Sequence, residues 1–175
     1  MSQSINLYQI SKDNFEVFSI DSESFDYDFN ENNSSVFDKN FEGLIYLFLC
    51  YYDQKLPESL EKLFYPQDFI GEEVDYNNID FENIEDFPES IAIYYLNPTI
   101  IKEIKTVLDT IENNKILDFY NADDFNNNGI YPEVWHTDEN EDLAFNKRDL
   151  EEGLQLLKET ISHAYHNGNY ILYFM

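Results

Sequence analysis

The period of apolar positions changes several times along this chain, and each change predicts an element. Residues Ile5 to Ile10 alternate apolar and polar side chains, the two-residue period of a strand. Ser11 then offers an N-cap oxygen, and Phe15 and Phe18 fall at helical spacing, so a helix follows. From Asp21 to Ser35 the chain turns to Ser, Asp, Glu and Asn with isolated Phe and Tyr, the composition of a loop. The core resumes at Val36, and Asp38 is placed to cap a helix whose Phe41, Leu44, Ile45, Leu47 and Phe48 form a wide apolar face. Pro57 at a first-turn position, with Leu60, Leu63 and Phe64 behind it, predicts a short helix that ends before Pro66.

The second half reads in the same way. Ile91 to Leu96 has the character of a strand, and Asn97-Pro98 supplies a cap and a first-turn proline for a helix through about Ile111. Leu117, Phe119 and Tyr120 lead into an Asn-rich turn ending at Gly129. In the closing segment Asn146 caps, Asp149 sits near the positive helix end, and Leu150, Leu154, Leu157, Ile161 and Ala164 or Tyr165 repeat at helical spacing until Gly168 stops them. A terminal strand, Tyr170 to Phe174, follows. Strands at both ends with helices between them predict one α+β domain spanning 1–175, with a mixed sheet that includes the N- and C-terminal strands and packs against several helices.

Charge changes the picture most. The chain has 175 residues, with 10 Lys+Arg against 36 Asp+Glu and a formal net charge of −26. A nucleic-acid backbone or an anionic bilayer repels such a molecule, which argues against direct nucleic-acid binding and against the membrane. Hydrophobic residues at 43% and aromatics at 17% still supply enough apolar area for a core. The longest apolar run, Leu44 to Tyr52, is too short to span a bilayer, and the start MSQSINLYQISKDNF has no basic segment leading into an apolar one. A cytoplasmic location is expected. Cys50, the single cysteine, reads as a reduced core thiol.

Four strings resemble the YfbM-like family, bacterial proteins grouped as a domain of unknown function. Asp38 to Leu47 is similar to the family's Asp-Lys helix, and Tyr95-Leu96-Asn97-Pro98 to its strand-to-helix junction. Ile130-Tyr131-Pro132 with Trp135 is similar to its Ile-Tyr-Pro segment, and Leu150 to Met175 to its closing helix and strand. They occur in the family's order and cover most of the chain. The resemblance implies a single α+β domain and carries no agreed activity, so it supplies no catalytic residue.

Candidate chemistry is sparse. Asp124-Phe125-Asn126-Asn127-Asn128-Gly129 matches the first half of a calcium loop, but the twelfth position, where a bidentate Glu closes the cage, is Trp135. The stretch reads instead as an Asn-Gly turn held by side-chain to backbone hydrogen bonds. His163 and His166 lie three apart on the closing helix without an acid or thiolate at ligand spacing, and suit the carbonyl end of that helix. His136, beside Asp138 and Glu139, is either an acid-base residue or half of a surface ion pair. Neither a Gly-x-Ser-x-Gly elbow nor a glycine-rich phosphate cradle occurs. No catalytic residue, cofactor or metal set is therefore assigned.

What remains is the acidity. Asp68 to Glu89 carries nine acids and no basic residue, and reads as a loop-rich excursion. Within it, Asp75, Tyr76, Asp80, Phe81, Glu82, Glu85 and Asp86 alternate carboxylates with aromatic rings, the composition of a surface that docks a basic protein. The expected function is a non-enzymatic interaction module, of immunity or antitoxin type, that neutralises such a partner. The alternative is a small-molecule-binding domain or enzyme with its pocket near Tyr131, Trp135 and His136.

Overall fold

The computed structural model describes residues 4–22, 25–30, 32–38, 40–73, 92–140 and 142–174. Strand β1 (Ser4–Ile10) leads into helix α1 (Lys12–Ile20), then β2 (Ser34–Asp38), α2 (Phe41–Tyr51), α3 (Glu58–Phe64) and β3 (Phe69–Ile70). After these come β4 (Ile93–Leu96), α4 (Pro98–Leu108), α5 (Asn113–Leu117), α6 (Ala122–Asn127), the long α7 (Lys147–Asn167) and β5 (Tyr170–Phe174). The strands form one sheet in the order β2-β1-β5-β4-β3. Its two terminal strands are neighbours at the centre, with Asn6 opposite Phe174 and Ile10 opposite Tyr170.

The architecture is α+β, as the pattern predicted, with one difference in the sheet. Among the described residues all four strand pairings are antiparallel, where a mixed sheet was expected. Helical connections usually suggest parallel crossovers. Here α1 joins β1 to its antiparallel neighbour β2, and α4 to α7 join β4 to its antiparallel neighbour β5, so a helix between two strands does not set their relative direction.

Alternation along the strands sorts side chains onto two covered faces. Leu7, Phe37, Leu96, Ile171 and Tyr173 face a helical layer built from α2, α3, α4 and α7. Tyr8, Ile10 and Leu172 face the other way, toward Phe18 of α1 and the rings of Phe25 and Tyr27. The closing helix shows how little of this depends on local propensity. Leu150, Leu154, Leu157 and Ile161 are each fully buried, worth about 1.5–3 kcal/mol apiece on transfer from water. The Asn146 cap, whose side chain accepts from Asp149 N at 3.2 Å, adds about 1 kcal/mol. Gly168 ends the helix at φ +65°, a conformation that suits glycine.

Some local expectations are corrected. Ser34–Asp38 is a strand, so Asp38 ends β2 instead of capping α2; Asn40 precedes α2, and its amide donates to the Asp149 carbonyl oxygen at 3.3 Å. Pro57 occupies the N-cap position of α3, one residue outside the first turn. Ala122–Asn127 forms the short helix α6, and only its end, Asn128-Gly129, is a turn. Ser11 and Asn97 cap α1 and α4 as predicted, through Asn14 N at 3.3 Å and through Thr99 N and Ile100 N.

Candidate functional site

The acidic and aromatic residues Asp75, Tyr76, Asp80, Phe81, Glu82, Glu85 and Asp86 lie outside the described residues. Tyr131, Trp135 and His136 lie within the described residues. Trp135 is 3% exposed and belongs to the main core, while Tyr131 and His136 are half-buried. The Trp135 indole packs edge-on to Phe125 and Phe145 at centroid distances of 5.0 and 6.0 Å, and its Nε1 donates to the Ile130 carbonyl oxygen at 2.9 Å.

α6 positions this indole. The Asn126 side chain clamps the Trp135 backbone from both sides, its Oδ1 accepting from Trp135 N at 2.8 Å and its Nδ2 donating to Trp135 O at 3.0 Å. Tyr120 donates from its hydroxyl to the His136 carbonyl oxygen at 2.8 Å. Burial, with the charges of Asp149 and Glu139, pushes the Tyr120 phenol up to about 12, so the hydroxyl remains a donor at neutral pH. On α2, Gly43 leaves room for the ring: a Cβ there would lie 2.3 Å from the indole. The Asn-rich stretch that resembled a calcium loop thus anchors a tryptophan. Asp124, its first nominal ligand, instead accepts from the Tyr46 hydroxyl at 2.8 Å and from Asn128 Nδ2 at 3.1 Å. Among the described residues no group of three or more His, Cys, Asp or Glu side chains could hold a metal ion. Burial raises the pKa of the Cys50 thiol, which disfavours the thiolate that reactive cysteines use.

A surface groove lies at the sheet edge that carries β3 and β4. It has a volume of about 490 Å3 and is lined chiefly by Tyr65, Phe69, Glu73, Tyr94 and Tyr173. Sheet register builds it: Phe69 pairs with Tyr94, their rings 5.6 Å apart, and Pro66 ends the helical layer so that Tyr65 and Phe69 stay exposed at 51% and 38%. Tyr94 donates its hydroxyl to the Glu73 carboxylate; that bond, then burial, raises its pKa. Tyr173 sits deeper, donating to the Leu63 carbonyl oxygen at 2.7 Å, and burial raises its pKa further. The groove presents aromatic faces beside a carboxylate. Such a pairing suits a Lys or Arg side chain, which gains from both the ring quadrupole and the negative charge. Sequence reading nominated the chain segment that follows this groove and overlooked Tyr65, Phe69 and Tyr94. Their signal was available in Phe69 and Ile70 as a strand pair with Tyr94, but two residues are too few for a period to show.

Charge is distributed unevenly in one respect. Acids occur on every helix or its caps, from Asp13 and Glu16 of α1 to Glu151, Glu152 and Glu159 of α7. Cations concentrate in the helical layer and its connections, at Lys55, Lys62, Lys102, Lys105, Lys115, Lys147, Arg148 and Lys158. On the opposite face Lys12 stands against Asp13, Glu16, Asp21, Asp26 and Asp28. No helix among the described residues is long and apolar enough to cross a membrane.

Comparison with known proteins places the fold. The structure is similar to the crystal structure of YfbM from Escherichia coli, a protein of unknown function, with a TM-score of 0.57 over 99% of each chain at 13% identity. At that identity the likeness carries the architecture alone. No curated protein sequence matches the chain. A family model described as "Domain of unknown function (DUF1877)" matches residues 1–174, so the resemblance read from the four short motifs holds along the whole sequence, and the chain belongs to the DUF1877 family.

Proposed function

We propose that the protein is a non-enzymatic interaction module that binds a basic protein partner and neutralises it in the manner of an immunity protein or antitoxin. The observation that supports this is the groove at the β3–β4 edge, where exposed Tyr65 and Phe69 stand beside Glu73 and Tyr94. Asp75, Asp80, Glu82, Glu85 and Asp86 follow Glu73 in the sequence. In this reading a Lys or Arg of the partner enters the groove, and those carboxylates take positions that phosphates would occupy on a cationic nuclease cleft. Tyr76 and Phe81 add contact area as anchors. Carboxylate steering accelerates the encounter, and salt weakens it.

The test is affinity capture from the source cell at low and at physiological salt, with wild-type bait beside the double variant Glu73→Lys, Tyr94→Ala. The expected result is a basic protein retained by wild type at low salt and lost on the variant, whose toxicity on expression is relieved by co-expressing the wild-type chain. Retention of that protein by both baits, or no relief of toxicity, would end this reading.

A further inference from the structure

β2 is an outer strand of the sheet, with β1 as its neighbour on one side. The register shows where its backbone groups point. Ile5 stands opposite Phe37 and Leu7 opposite Ser35, and one step further along the same ladder Gln9 N donates to the Asn33 carbonyl oxygen at 2.6 Å. Hydrogen-bonded and non-hydrogen-bonded pairs alternate in an antiparallel ladder, so Ser35 and Phe37 turn their N–H and C=O groups toward β1, and Val36 turns both of its own outward. Among the described residues no backbone hydrogen bond reaches Val36 from the outer side.

Exposed strand edges are normally blunted by lysine, proline or a bulge. Ser34–Asp38 contains neither residue, its pairing with β1 runs unbroken from Ser4–Asp38 to Tyr8–Ser34, and Val36 is 56% exposed. A groove of about 370 Å3 accompanies this edge, lined by Val36 and Asp38 of β2 together with Phe145 and by Asp149, Glu152 and Leu156 of α7. Asp149 is engaged within the fold, accepting from Phe145 N and from Arg148 Nη2. Glu152 is 72% exposed, and Arg148 Nε stands 3.8 Å from it.

We infer that the β2 edge docks an extended peptide segment bearing Lys or Arg, which extends the five-stranded sheet by one strand. A peptide residue opposite Val36 exchanges both backbone hydrogen bonds with it. The residues on either side of it then point to the helical face, as Ser35 and Phe37 do. There Leu156 and Phe145 cover the stem of a Lys or Arg, and Glu152 receives its charged head. An acidic peptide meets Asp38, Glu152 and a net charge of −26, and a second copy of this chain meets the same repulsion. β3 forms the opposite edge of the sheet, so this surface is separate from the β3–β4 groove and stands or falls independently of it.

An NMR titration of the full chain tests this, with a capped hexapeptide of alternating Lys and Val as the probe. The control is the same peptide N-methylated at each Val, which keeps the charge and removes the donors that face β2. The probe is expected to shift the Ser35, Val36 and Phe37 amide resonances saturably and to slow solvent exchange at Val36, and the control to bind at least about tenfold more weakly. Glu152→Lys, at an exposed position on α7, should weaken the probe about threefold while leaving the rest of the spectrum in place. Equal binding of probe and control, shifts scattered over the acidic surface, or a Glu152→Lys titration identical to wild type would overturn the assignment. So would a Val36 amide already protected from exchange in the peptide-free chain, or a dimer in sedimentation that the probe does not dissociate.

Discussion

The two faces of the sheet are closed by different materials. Over one, aliphatic side chains from three helices interlock around a few buried rings such as Phe48 and Phe125: Leu44 and Leu47 from α2, Ile101 and Ile104 from α4, and Leu154 and Leu157 from α7 are all fully buried. Over the other, a short helix and the residues near Tyr27 provide rings. Tyr27 meets Tyr8, Phe18, Phe25, Phe29 and Phe174 at centroid distances of 6.0, 6.2, 5.1, 5.5 and 5.1 Å. Phe15 stacks on Tyr170 at 3.8 Å. Each ring covers a large area for two side-chain torsions. An acidic stretch with few apolar residues can therefore still close a sheet face, provided those few are aromatic.

Alkali sets the two faces against each other with the largest expected effect, loss of the whole fold. Burial raises Tyr173 and Tyr46 on the helical side, with Tyr46 also bonded to Asp124, and it raises Tyr8, Tyr27 and Tyr95 on the aromatic side. A folded phenol with a raised pKa keeps its proton where the unfolded chain, ionising near 10, has lost it. Stability from these groups is thus complete below about pH 10 and falls as pH rises above it. Tyrosinate absorbance and circular dichroism followed together should show these buried rings ionising in one step with unfolding. A smooth titration of every tyrosine with no loss of circular dichroism would show that neither face depends on neutral phenols.

Trp135 is one of several rings buried on the helical side, with Phe37, Phe48 and Phe125, and it is the bulkiest, which makes it the sharpest test of interlocking. Trp135→Ala should cost about 3–5 kcal/mol in urea unfolding, since it empties a space that Phe125, Tyr120 and Gly43 are shaped around. The reverse error, Gly43→Ala, drives a methyl into the indole and should cost about 1–3 kcal/mol. Should Gly43→Ala prove neutral, the ring has room to slide, and the aliphatic face is looser than its burial implies.

The contrast between the faces also explains what the sequence revealed. The helices that cover the aliphatic face repeat their apolar residues every three or four positions, and α2, α4 and α7 were all legible, α4 and α7 with their capping residues. The aromatic face has no period: Phe25, Tyr27 and Phe29 sit among Ser, Asp and Asn, and only the completed sheet gives them a surface to cover. β2 was hidden for a similar reason, since Phe37 is its one buried residue. The β3–β4 groove depends on pairing Phe69 with Tyr94 across 25 positions of chain, a contact that no local pattern encodes. The contact between Gln9 and His163 depends equally on distant residues, which carry separate signals until the fold brings them within 2.8 Å.

Tyr27→Ala asks how much the aromatic side holds the fold. Its half-buried ring should cost about 1–2 kcal/mol, and hydrogen exchange should accelerate first near residues 25–30 while α7 stays protected. Uniform acceleration, α7 included, would make the aromatic layer part of one cooperative unit with the helices.

The smallest expected effect comes from salt, and its sign follows from two opposing quantities. The ion pairs, such as Lys12–Glu16 and Lys115–Glu112, are mostly exposed and worth a few tenths of a kcal/mol each, so screening them costs little. Screening also relieves the mutual repulsion of 36 carboxylates facing 10 cations. Relief should prevail, and calorimetry from low to physiological ionic strength should show Tm rising, by roughly 2–4 °C for each kcal/mol gained. A falling Tm would mean that the local pairs outweigh the repulsion. It would also weaken the case for a cation-seeking surface, because a field too weak to affect the molecule's own stability is a poor guide for a partner.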